Sequence, residues 1–131
     1  INAFQNTSRY EQAFEQLKEV EFPTILQKTA IQRLSFFIGV KAFNNEDYNK
    51  AISLFKFSNR FKINDDIFAI STYWLADCYY NIADFKRSAE LYNEYLLVSL
   101  LLLLILHNTI WAMLISIRRI TKKQKILSEN L

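Results

Sequence analysis

The chain has 131 residues, 51% of them hydrophobic, which is enough for one compact unit with a real core, and its single Gly and single Pro leave little material for the tight turns of β-sheets. One cysteine, Cys78, and one histidine, His107, exclude a disulfide framework and a Cys/His zinc site within one chain. The formal charge of +3 is unevenly placed: residues 1–95 carry 11 Lys+Arg against 12 Asp+Glu, whereas residues 96–131 carry 5 against 1, so the basicity belongs to "RRITKKQK" (118–125) and the body has no nucleic-acid-binding stripe.

The first residues show no basic n-region, apolar run and cleavage site, and the start at Ile1 reads as an internal fragment. Helix formers dominate from there on, and an all-α chain is expected. Apolar residues at three- and four-residue steps (Leu34, Phe37, Ile38, Ala42) predict one helix, and Ile52 and Phe55 place a second after the turn "NNED" (44–47). Further turns are expected at "NDD" (64–66) and "NIAD" (81–84), where Asn and Asp cap the helix that follows.

Two of these stretches are copies. "IGVKAFNNEDYNKAISLF" (38–55) and "LADCYYNIADFKRSAELY" (75–92) lie 37 residues apart. Small Gly39 and Ala76 are each followed after nine residues by an aromatic (Tyr48, Phe85), after twelve by a small residue (Ala51, Ser88) and after sixteen by another aromatic (Phe55, Tyr92). An earlier half-copy, "SRYEQAFEQL" (8–17), places Tyr10, Ala13 and Leu17 at the last three positions. The small residues let two helices approach closely while Tyr48, Phe55, Phe85 and Tyr92 fill the space beside them.

These spacings resemble the tetratricopeptide repeat family, with Ile38-Gly39, Tyr48, Ala51 and Phe55 in one copy and Leu75-Ala76, Tyr79, Phe85 and Tyr92 in the next. The copies are longer than the family's usual 34 residues, neither is closed by a Pro, and Ser88 replaces the commonest Ala. "YWLADCYY" (73–80) looks most like tetratricopeptide proteins of bacterial cell envelopes. The resemblance implies antiparallel helix–turn–helix repeats stacked as a short right-handed solenoid: a half-repeat at 1–30, repeats at about 32–68 and 69–97, then an apolar helix and basic tail at 96–131. It also implies a bacterial periplasmic or envelope-associated location, and a groove that holds a peptide or protein partner. Mapped from Gly39 and Ala76, that groove would be lined by Arg33, Phe36, Val40 and Asn44, and by Tyr73, Asp77, Tyr80 and Asn81.

No cofactor or enzymatic activity is expected. The chain has no Gly-rich phosphate loop and no supported Cys-His or Ser-His pair. Asp65 and Asp66 are adjacent residues at a turn, the pattern of helix capping rather than paired catalytic carboxylates, and Cys78 reads as a small packing residue.

The tail has two readings. "LLVSLLLLLILHNTIWAMLISI" (96–117) is 22 residues without a formal charge, long enough to cross a bilayer, with basic residues just after it that would hold the C-terminus in the cytoplasm. His107, Asn108 and Thr109 near its middle count against a span. The other reading is translation out of frame after a shift between Tyr95 and Asn108. The codon formed across Trp111 and Ala112 is then GGC, a forced glycine 35 codons beyond Ala76, and the neighbouring junctions allow Tyr-Asn-x-Gly-Tyr-Ala-Tyr-Phe. Nine, twelve and sixteen codons later, junctions at Ile120/Thr121, Lys123/Gln124 and Leu127/Ser128 allow Tyr, Ala and Phe, which would be another repeat.

Overall fold

The computed structural model describes the backbone of residues 2–130 and the side chains from Ser8 to Asn130. Five helices account for most of it: α1 (Asn2–Lys18), α2 (Ile25–Asn44), α3 (Tyr48–Arg60), α4 (Asp65–Asn81) and α5 (Phe85–Glu129), with no strand among the described residues. The chain divides into two compact units between Leu96 and Leu97.

In the first unit, α2 begins with a reciprocal cap after Pro23. The Thr24 hydroxyl accepts the Gln27 N–H at 3.3 Å, and the Gln27 side-chain carbonyl accepts the Thr24 N–H at 2.8 Å. Its end and the start of α3 share one device. Asp47 donates its N–H to the Ala42 carbonyl and Glu46 donates to Phe43, while Glu46 takes a left-handed φ of 61°, which stops the helix. The Asp47 carboxylate then accepts the Lys50 N–H at 3.1 Å and opens α3.

The turn between α4 and α5 repeats this bond for bond, 37 residues on. Asp84 donates to Tyr79, Ala83 donates to Tyr80 with a φ of 63°, and the Asp84 carboxylate accepts the Arg87 N–H at 3.2 Å. A non-glycine residue in the left-handed region costs roughly 1–2 kcal/mol, and both copies carry that strain at the same position. The duplication seen in the sequence is therefore a duplication of backbone geometry.

The connections of three residues at 45–47 and 82–84 turn each following helix back along the one before it. α2 packs on α1, α3 and α4, and α3 packs on α4. One core gathers Phe36, Ala42, Ala51, Phe55, Leu75, Cys78 and Tyr79; a second gathers Phe14, Ile31 and Ile38 with Leu17, Leu34 and Phe57. Gly39 sits against the wholly buried Phe55 so closely that a β-carbon there would lie 2.8 Å from the ring. The ring is held by Phe36 at 5.9 Å and Trp74 at 6.4 Å, so α2 and α3 approach at Gly39 because it has no side chain.

Phe36, expected to line the groove, and Phe85, expected to pack between helices, both lie elsewhere. Phe37 is 61% exposed while its neighbour Phe36, expected in the groove, is 8% exposed in the core. α2 is apolar around most of its circumference, so residue spacing alone does not decide which aromatic faces inward. Phe85 is 59% exposed and, among the described residues, its ring meets that of Tyr80 alone, at 5.4 Å. Its counterpart Tyr48 meets Phe43, which Trp74 backs from α4 at 4.9 Å; Tyr80 has no such ring behind it among the described residues.

A polar clamp absent from the sequence reading ties the helices together. Gln32 is wholly buried; its side-chain carbonyl accepts the Asn64 N–H at 2.9 Å and its amide donates to the Asn64 carbonyl at 3.1 Å. Asn64 in turn caps α4 by accepting the Ile67 N–H at 2.9 Å, and the Ser58 hydroxyl donates to the Gln32 backbone carbonyl at 2.8 Å.

The second unit is helical through residue 129. The apolar run and the basic segment 118–125 belong to the same helix as Phe85, because no Gly or Pro interrupts the Leu-rich sequence between them. Its large apolar side chains, from Leu97 to Leu127, are open to solvent.

Replacing Gln32 by Leu keeps the volume but strips both partners from the Asn64 backbone. A loss of about 2 kcal/mol is expected, lowering the melting temperature of the first unit by roughly 10 °C when followed by near-ultraviolet circular dichroism.

Candidate protein-binding surface

The eight residues expected to line a groove fall into two groups. On α4, Tyr73, Asp77 and Asn81 stand at successive turns, and Tyr80 flanks them, 59% exposed. The Tyr73 ring lies between those of Tyr92 at 5.7 Å and Tyr95 at 5.3 Å, both on α5. The Tyr92 hydroxyl donates to the Asp77 carboxylate, and the Asn81 amide donates to the Asp77 backbone carbonyl at 2.8 Å. Tyr73, Asp77 and Asn81 thus join one ordered patch with Tyr92 and Tyr95, while the Tyr80 ring pairs with Phe85.

That patch holds its proton firmly. Burial raises the Tyr92 phenol from 10.0 to about 12, reinforced by its hydrogen bond to Asp77 and by that residue's charge. The hydroxyl stays a donor to Asp77.

On α2 the prediction divides. Arg33 and Asn44 are exposed, Val40 is half-buried against the core, and Phe36 lies within it. Arg33 instead borders a groove of about 610 Å³ between α1 and α2, lined by Tyr10, Leu26, Thr29, Ala30, Leu34 and Phe37. Sequence reading missed this groove. Its signal was present as Leu26, Ala30, Leu34 and Phe37 at helical spacing, a second apolar face on a helix that already had one.

A smaller cleft of about 420 Å³ lies where Lys56 of α3, Leu75 and Tyr79 of α4, and Arg87, Glu90 and Glu94 of α5 meet. Lys56 and Arg87 place their cationic groups 5.6 and 5.5 Å from the centre of the Tyr79 ring. Chemistry elsewhere is sparse. Cys78 is a free, wholly buried thiol that burial, and then the charge of Asp77, raises from 9.0 to about 12, far from a thiolate nucleophile. No group of three His, Cys, Asp or Glu side chains among the described residues is placed to hold a metal ion. Comparison with known protein families, curated proteins and solved structures finds no match.

The raised Tyr92 pKa sets the sign of one pH effect. Because the folded state favours the neutral phenol, this contribution to stability is complete below pH 10 and disappears as the pH rises toward about 12. Denaturant titrations of the wild type and Tyr92→Phe should show a fall over that window that is shallower in the variant; equal slopes would refute the Tyr92–Asp77 linkage.

Proposed function

We propose that this chain is a non-catalytic scaffold of tetratricopeptide-type helix pairs, which takes a peptide or protein partner on the inner face formed by α2 and α4. The observation that carries the reading is the duplicated turn: two helix pairs 37 residues apart with the same left-handed residue, the same helix-ending bonds and the same aspartate cap. A duplicated backbone unit without a metal cluster or an activated thiol among the described residues is suited to presenting surface rather than turning over substrate. Tyr73, Tyr80, Asp77 and Asn81 offer ring faces, a carboxylate and an amide, a mixture that grips an extended backbone and its side chains.

A photo-crosslinking residue at position 80 should form a discrete adduct with a partner in cells, and one at Lys50, on the outer helix α3, should not. Tyr73→Ala should reduce the adduct about tenfold, as expected for an aromatic anchor. Equal crosslinking from both positions would count against the inner face.

The second unit supports a further element, a single-pass membrane anchor. Its helix is long and apolar enough to cross a bilayer and none of its apolar window is buried. Residues 96–117 rise about 33 Å as a helix, matching a hydrocarbon core of about 30 Å. Thr109 and Ser116 donate their hydroxyls to the carbonyls of Ile105 and Ala112 at 2.9 and 3.0 Å, which removes part of the cost of polar residues at that depth. Arg118, Arg119, Lys122, Lys123 and Lys125 follow the span and favour a cytoplasmic C-terminus. An envelope location accords with such an anchor.

Carbonate-washed membranes should retain the full chain and release a version lacking 97–131. Resequencing the coding region from Tyr95 onward separates this from the out-of-frame account: a missing or extra base there would replace the anchor with another repeat.

A further inference from the structure

The polar residues in the middle of α5 divide by how far their own helix can serve them. A hydroxyl needs one acceptor and finds it a turn back, as Thr109 does at the Ile105 carbonyl and Ser116 at that of Ala112. Asn108 is a different case. Its amide carries two N–H donors and a carbonyl, and inside a helix every backbone N–H past the first turn is already given to a backbone carbonyl. The Asn108 carbonyl therefore finds no donor on its own helix. Its N–H₂ group makes no hydrogen bond among the described residues either, whereas that of Asn81 reaches the Asp77 carbonyl.

Depth makes this costly. Asn108 lies about 2 Å along the helix from the midpoint of residues 96–117 and about 13 Å from their nearer end, well beyond the reach of its short side chain. It is exposed, on a helix none of whose apolar window is buried. An amide facing hydrocarbon there has neither water nor protein to bond, and a second helix is what satisfies such a group.

We propose that this span pairs with the span of a second copy of the chain, the two Asn108 amides donating to one another's carbonyls at the centre of the contact. The inference rests on the anchor reading of residues 96–117. A second copy fits for two reasons. A carboxamide is its own complement, with an N–H and a carbonyl on one edge, so two copies form a reciprocal pair in which neither carbonyl lacks a donor. Copies of one chain also enter the bilayer in the same orientation, because the same basic segment holds each C-terminus on the cytoplasmic side. Both amides then arrive at the same depth.

The surface around Asn108 suits close approach. Leu101, Leu104, Ala112 and Ile115 share its face at steps of three and four residues, and all are exposed. Small Ala112, one turn on, lets the two backbones draw near where the amides meet. His107 stands on the next face round, its ring 6.0 Å from that of Trp111. The five cations of 118–125 repel their copies, but beyond the span they stand in water, where salt screens them over about 8 Å at physiological strength.

Sedimentation equilibrium of the full chain in density-matched neutral micelles, read beside carbonate extraction of membranes that carry it, tests the pairing. The wild type should sediment as a dimer. Asn108→Leu should weaken association about tenfold and still be retained by the washed membranes, while Asn108→Gln, which keeps the amide, should still pair. His107→Leu should associate as the wild type does. A monomeric wild type, or association that Asn108→Leu leaves unchanged, would overturn the pairing and leave the anchor standing. Association lost equally on His107→Leu would overturn the assignment to Asn108, and an assembly larger than two copies would overturn the reciprocal amide pair. Release of the wild type by carbonate would overturn anchor and pairing together.

Discussion

The amide of Gln32 fixes the first unit. A primary amide has one carbonyl and one N–H₂ group, and here both are used on the backbone of a single residue, Asn64, in the manner of a strand pairing with its neighbour. Because the Asn64 side chain caps α4, holding its backbone sets where α4 starts and along which line it runs. The backbone of Gln32 receives the Ser58 hydroxyl near the end of α3, so the same residue anchors three helices. In a buried site these bonds lack competition from water, and leaving them unmade would cost more than forming them gains. The placement of Tyr73, Asp77 and Tyr80 beside α5 therefore depends on a glutamine some distance from them.

Close approach at Gly39 acts alongside the clamp. α2 and α3 meet where a missing side chain admits the Phe55 ring, and that ring in turn supports Trp74 of α4. The small-then-aromatic spacing is thus a chain of contacts linking successive helices. In the second copy Ala76 and Ser88 are likewise buried, while Phe85 lies more open because no further ring backs its neighbour Tyr80 among the described residues.

How much of this was legible follows from the range of each interaction. The turns could be read because their chemistry is local: an aspartate three residues before the N–H it accepts, within a segment whose copy carries the same pattern. The duplication could be read because it is a matter of spacing. The Gln32 clamp joins residues 32 apart in sequence and uses a side chain that looks like any surface glutamine, so no local pattern announces it. Phe36, expected in the groove, lies in the core because a helix apolar on two sides gives its periodicity no single phase. The α1/α2 groove was legible only in part: Leu26, Ala30, Leu34 and Phe37 recur at helical spacing, but spacing does not say which of two apolar sides a neighbouring helix covers.

The lone cysteine offers a view of how this assembly moves. Cys78 is wholly enclosed where α4 meets the core, and its thiol, at about 12, is almost entirely protonated at neutral pH. A thiol reagent reaches it only when α4 separates from its neighbours, so the modification rate of the native chain counts those openings directly. With no other sulfhydryl to confuse the signal, the chain carries its own clock for the lifetime of the repeat interface, and whatever docks on the first unit can be judged by how far it slows that clock.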